Sequence, residues 1–257
     1  MDTIRKTSVI AMLTIEENIR KKILYILLFI SVVLVGFSAS MTSFNLGAQV
    51  EVMKDISLSG INLFGIVFTL ALFLNVIPRE IETKTIYPFV TQPITRATYL
   101  SGKFLGLFLL IAVNMLILAV ELLFVLKAYT GAWNFVIFQV VLLNILQCGI
   151  LGALMLALSL ISSYPLALSA TVFLYMLGGI SAPYLNYLKI KLPESLVNII
   201  IGIKLIIPKF DVFNLKDAIV HDATLNPFYF PVACLYGIVY ILAINTVAII
   251  FFEKKDM

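Results

Sequence analysis

The chain has 257 residues, 61% of them apolar and only 12% charged, where a soluble domain carries about 25% charged residues. At a mean hydropathy of +1.07 it lacks the polar surface to cover a globule, which excludes a soluble enzyme, a secreted disulfide scaffold and a disordered chain. The net charge of +4 sits mostly at the ends of apolar runs, where it sets membrane topology; it does not mark a nucleic-acid binder.

Residues 1–22 come first. Val9, Met12, Leu13, Ile15 and Ile19 recur near helical spacing, with Glu16, Glu17, Arg20 and Lys21 on other faces, which predicts an amphipathic helix lying in the membrane interface. Thr14 to Glu17 fits a capping box. Six apolar stretches follow, each reaching the roughly 20 residues a membrane helix needs. They cover about 23–41, 57–77, 104–126, 133–161, 165–184 and 231–252. No A-x-A cleavage pattern follows the first, so it reads as a retained span. The fold class predicted is an all-α polytopic membrane protein, a single domain over 1–257.

Lys and Arg resist translocation and accumulate in short cytoplasmic loops. Arg5, Lys6 and Arg20 to Lys22 precede the first span, Arg79, Lys84, Arg96 and Lys103 lie between the second and third, and Lys254 and Lys255 follow the last. The opposite side has Lys54 and Lys127 in its first two loops. Its third segment, 186–230, carries five lysines interleaved with acids, and long segments obey the rule less strictly. Both termini are therefore expected in the cytoplasm and 186–230 outside. Within that outer segment, Pro193 opens and Pro208 closes an apolar stretch too short to span, which predicts a re-entrant or interfacial helix. A second short helix is expected from Asn214 as its cap.

Catalytic and metal chemistry find little footing. His221 is the only histidine, and Cys148 and Cys234 lie far apart without CxxC spacing, so a zinc site, a Ser-His-Asp triad and a redox pair all lack ligands or partners. Gly102-Lys103-Phe104 lacks the first glycine and the hydroxyl of a phosphate-binding loop. Glu121 is the one acid well inside a span, with Asn114 on about the same face; it either faces a pathway or reaches back to the outer interface near Lys127. Asn144 and Gln147, one turn apart, suit bonds across helices, and Gly149, Gly152 and Gly178-Gly179 suit close helix contacts.

The stretch 78–103 is the one long cytoplasmic loop. Arg79 with Glu82 and Glu80 with Lys84 have the spacing of helix-surface ion pairs. Pro88 ends that helix, and Pro93 and Gly102 frame a second, short one. Ile94, Tyr99 and Leu100 would then need a neighbouring surface to cover them. The order Glu80-Ile-Glu82, Thr85-Ile86, Pro93-Ile-Thr-Arg96 and Tyr99-Leu-Ser-Gly-Lys103 resembles the loop between spans two and three of type-2 ATP-binding-cassette (ABC) exporter permeases. Lys84 departs from it, standing where many relatives have glycine.

The resemblance extends over the six-span plan, the amphipathic tail as a connecting helix and the external re-entrant helix. It implies a non-enzymatic permease subunit in the cell inner (cytoplasmic) membrane, with no cofactor of its own. A separate ABC ATPase, in two copies, would hold ATP and Mg. A second permease copy, identical or related, would complete the pathway among membrane lipid. Loop 78–103 would be the coupling helix seated on the ATPase, with Glu80, Glu82, Thr85, Pro93, Arg96 and Tyr99 as coupling residues. Spans two and five would line the pathway, which nominates Asn62, Thr69 and Asn75 and Thr171, Tyr175 and Ser181, with Glu121 beside them. Two other classes compete: a membrane scaffold or sensor that borrows ATPase motion, and a polytopic membrane enzyme, which lacks paired acids or histidines in its spans.

Overall fold

The computed structural model describes residues 2–20, 25, 29–33, 36–37, 49–74, 95–179, 207–216 and 228–254. They form α1 (Asp2–Ile19), α2 (Gln49–Phe73), α3 (Arg96–Thr130), α4 (Ile137–Ile161), α5 (Tyr164–Gly178), a 3-10 turn (Phe210–Phe213) and α6 (Tyr229–Lys254). No strand occurs among the described residues. Four of these helices, α2, α3, α4 and α6, are long and apolar enough to cross a membrane, and α5 is a shorter apolar helix. The protein is an all-α, membrane-embedded chain. Most of the expected first span and most of the expected re-entrant segment lie outside the described residues.

α4 stands at the centre of the bundle, buried along most of its length and packed against α2, α3, α5 and α6. Lipid gives apolar helices no hydrophobic reason to associate, so close packing must hold them together. Gly149 and Gly152 supply it as expected: a Cβ on Gly149 would lie 2.7 Å from Ile241 of α6 and from Phe108 of α3, and one on Gly152 would lie 2.6 Å from the Phe73 ring of α2.

α1 lies across the start of α3. Ile10, Ala11, Thr14 and Asn18 form its buried face, while Ile4, Val9, Met12 and Leu13 stay exposed, the division expected of a helix at an interface. The capping box does not form. Because the helix already begins at Asp2, Thr14 sits in its interior and its hydroxyl donates back to the Ile10 carbonyl at 2.8 Å. The closeness of α1 and α3 depends on Gly102 and Gly106. A Cβ on Gly102 would lie 2.7 Å from the Ile10 Cβ, and one on Gly106 would lie 2.6 Å from the Ala11 carbonyl oxygen.

The short helix expected between Pro93 and Gly102 is therefore replaced by something longer. Thr95 caps α3, its hydroxyl accepting from the Thr98 N–H at 3.2 Å. The helix then passes through Gly102 without a break and reaches Thr130, 35 residues in all from Arg96. At 1.5 Å per residue that is about 50 Å, against a hydrocarbon core of about 30 Å. The helix ends at Gly131, whose φ of 70° is open to glycine, with its N–H donating to the Lys127 carbonyl at 2.9 Å. Lys127 lies 3.8 Å from the centre of the Trp133 ring, itself packed between Phe124 and Phe135. Such aromatic and basic side chains anchor a span at its interface.

α2 also starts earlier than expected, at Gln49, so Lys54 and Asp55 are helical and do not belong to a loop. The turn after α5 returns over its end: Gly178 lies against the Pro208 carbonyl oxygen and the Phe210 ring. Asn214 follows the 3-10 turn and accepts from the Lys216 N–H at 3.3 Å, a capping bond; the helix expected beyond it lies outside the described residues after Lys216.

Candidate functional site

At one end of the bundle α1, the start of α3 and the end of α6 meet. The last carbonyls of a helix have no partner inside it, and those of α6 are met from α3: Arg96 Nη1 donates to the Phe252 and Glu253 carbonyls, each at 3.1 Å. Tyr99, one turn on, stacks on the Phe252 ring with centroids 6.4 Å apart and planes 23° apart. Lys103 continues the row, 5.9 Å from the Tyr99 ring and 3.4 Å from the Glu17 carboxylate of α1. Tyr99 and Leu100, expected to need a neighbouring surface, are buried within the chain, Tyr99 against Phe252 of α6; Ile94 lies outside the described residues. The other nominated coupling residues, Glu80, Glu82, Thr85 and Pro93, lie outside the described residues.

Towards the opposite end, α2, α4, α5 and the segment around Asn214 enclose a cavity of about 450 Å³, within the size range of small-ligand sites. Asn62 of α2 and Tyr175 of α5 both line it, as nominated. Gln147 of α4 joins them, its Nε2 donating to the Tyr175 hydroxyl at 3.2 Å and to Asn62 Oδ1 at 3.4 Å. The expected bond across helices is thus made by Gln147. Asn144 lines the cavity and is 3% exposed overall. Leu63, Ile66, Val67, Leu70, Val172 and Met176 form the apolar wall.

A long-range tie borders the cavity. Lys216 Nζ lies 2.8 Å from Asp55 Oδ1 and 3.0 Å from the Ser59 hydroxyl, holding the 207–216 segment to the first turns of α2. Tyr236 of α6 accepts the Lys209 N–H at 2.8 Å, and Tyr229 donates to the Val212 carbonyl at 3.0 Å, so α6 grips the same segment.

The remaining nominated residues do not meet there. Thr69 and Thr171 are fully buried, and their hydroxyls donate one turn back to the Gly65 and Ala167 carbonyls at 2.7 Å, a packing arrangement. Glu121 is on α3 beside Gly36, where an added Cβ would lie 3.7 Å from Oε1. Its Oε2 is buried with no hydrogen-bond partner, as is Asn114 Nδ2. Asn75 and Ser181 lie outside the described residues. Sequence reasoning took Asn144 as a packing residue and did not nominate Ser59, Asn214 or Lys216 at all; the isolated polar pair Asn144 and Gln147 in an otherwise apolar run was the available signal.

Compared with known proteins, the chain matches no family model and no curated sequence.

Proposed function

We propose that the chain is the membrane permease subunit of an ATP-driven exporter, working as a dimer with two copies of a separate ABC ATPase. The motif order in 78–103 is the basis of the reading. The observation that supports it best is the junction of Arg96, Tyr99 and Lys103, which ties the end of that segment to both α1 and α6. A pull on the chain just before Thr95 would act on three elements at once, and α3 is long enough to carry it from this junction to the opposite end.

In this mechanism ATP closes the ATPase dimer, the segment 78–94 moves with it, and α3 tilts with α1 and α6. The cavity between α2 and α5 then changes its opening, and ATP and Mg chemistry stays with the partner. Arg96 and Tyr99 act as positioning residues inside the permease, while Glu80, Glu82, Thr85 and Pro93 are the partner-facing set. The permease belongs to the cell inner membrane with both termini cytoplasmic.

Cysteine labelling in intact cells tests the orientation. A cysteine at Lys209 should react with an impermeant reagent from outside and one at Thr95 should not; the reverse pattern would invert the topology and remove the coupling segment from the ATPase side.

A further inference from the structure

Glu121 lies well inside α3 and outside the lining of the cavity. Lys127, six residues further on, packs on Trp133 at that end's interface, which at 1.5 Å per residue leaves the Glu121 backbone about 9 Å deeper. A helical side chain also leans toward the N-terminus of its helix. The N-terminus of α3 is the Arg96 end, so the Glu121 carboxyl leans away from Lys127 and does not reach back to the interface beside it.

No opposite charge stands level with it. Residues 23–50, 56–78, 128–188 and 223–252 contain no Asp, Glu, Lys, Arg or His, so every other expected span is uncharged along its length. Phe73 packs on Phe104 and Gly65 on Met115, so α2 runs antiparallel to α3. Its charged residues Glu51, Lys54 and Asp55 therefore come level with the Lys127 end, where Asp55 is already bonded to Lys216. Asn114 shares the Glu121 face but is neutral, and two turns place it about 10 Å away along the axis, beyond hydrogen-bond reach. A carboxylate here would keep a buried oxygen, Oε2, with neither a hydrogen bond nor a counter-charge, a far heavier cost than a neutral acid carries.

On one side the carboxyl is open. Ile117, Val120 and Phe124 beside it on α3 are exposed, and so is Gly36 of the first span. A Cβ on Gly36 would stand 3.7 Å from Oε1, so the missing side chain leaves a notch between that span and α3.

We propose that Glu121 is an intramembrane proton site: it holds its proton as a carboxylic acid in this lipid-facing notch and is open there to lipid-soluble reagents specific for such acids. Its proton can leave only where water enters the notch, so protonation is linked to the separation of the first span from α3. The site does not depend on the permease reading.

The test is treatment of the full-length protein in lipid nanodiscs at neutral pH with dicyclohexylcarbodiimide, read by mass spectrometry of its peptides. The acid adds its O–H across one C=N bond of the reagent, and the O-acylisourea rearranges in place to an N-acylurea. The peptide thus gains one whole reagent molecule and nothing leaves. That gain should appear on Glu121 and be absent from the exposed acids Glu16 and Glu253. A water-soluble cationic carbodiimide, with glycine ethyl ester as trapping amine, should mark Glu16 and Glu253 and spare Glu121. Glu121→Gln should abolish the adduct and keep the wild-type thermal midpoint, since a neutral amide replaces a neutral acid. Gly36→Leu, at an exposed position, should slow labelling several-fold by filling the notch. No adduct at Glu121, equal marking of Glu121 by the water-soluble reagent, a clear rise in the midpoint of Glu121→Gln, or undiminished labelling of Gly36→Leu would overturn the proposal.

Discussion

Arg96 and Phe252 are 156 positions apart in the chain, yet Arg96 Nη1 donates to the Phe252 carbonyl at 3.1 Å and its guanidinium carbon lies 6.0 Å from the Phe252 ring centre. The first residue of α3 thereby closes the last turn of α6. A positive side chain at a helix C-terminus also opposes the negative end of the helix dipole.

Removing that contact should loosen α6 at one end only. Hydrogen bonds from charged donors contribute about 1.5 to 3 kcal/mol, so Arg96→Gln should lower the thermal midpoint of the purified protein measurably. Hydrogen exchange should quicken at the end of α6 and leave Gly237 to Ile241 unchanged. Arg96→Lys should fall between, since an ammonium can meet one carbonyl but lacks the planar fork of donors. Equal exchange in all three proteins would show that the contact does not hold the helix end.

Gly102 and Gly106 should tolerate nothing large. A side chain at Gly106 would meet the α1 backbone itself, which cannot yield as a flexible side chain can. Overpacking of this kind costs about 1 to 3 kcal/mol. Gly106→Val should therefore release α1, seen as faster hydrogen exchange over Ile10 to Asn18, while α4 keeps its protection. Protection of α1 at the wild-type level would contradict the packing described.

The same pair shows where a single sequence stops being informative. The apolar runs reveal α2, α3, α4 and α6 because a membrane helix must be long and apolar whatever it packs against; α5, expected over 165–184, is described as a helix only to Gly178. Gly102 misleads because glycine weakens an isolated helix and marks ends, and only the approach of α1 gives it a use inside one. The Thr14 to Glu17 pattern fails for a related reason, since a capping signature has no force once the helix begins a dozen residues earlier. In the site, Gln147 was readable as a bond across helices, but its partners depend on the positions of Asn62 and Tyr175. Lys216 and Ser59, 157 positions apart, carry no local pattern to join them.

Glu121 should prove dispensable for the cavity. Its carboxylate lies beside Gly36 and has a buried oxygen without a partner, so Glu121→Met should be neutral or stabilising, by about 1 kcal/mol. A clearly lowered thermal midpoint would show that the Glu121 carboxyl is held by the fold and contradict this.

The tie between Lys216 and Asp55 should be weak and sensitive to salt. The Asp55 side chain is 47% exposed, and exposed ion pairs contribute about 0.2 to 1 kcal/mol. A double-mutant cycle of Lys216→Met and Asp55→Asn, read by thermal unfolding in detergent, should give a coupling in that range that shrinks as salt is raised. A salt-independent coupling above it would mean that the pair is shielded from solvent.

The central claim is that residues 78–94 deliver work from an ATPase to the bundle through Arg96 and Tyr99. It is tested most directly by purifying the full-length protein from its native membrane under mild conditions and measuring ATP turnover in the captured complex. The account predicts an ATP-hydrolysing subunit that is lost when Glu80 and Glu82 are both changed to lysine. It predicts that the subunit is retained in Tyr99→Ala, with ATP turnover several-fold below that of the wild-type complex. A wild-type protein that purifies without an ATPase, or one whose ATPase remains bound and fully active in both variants, would contradict it.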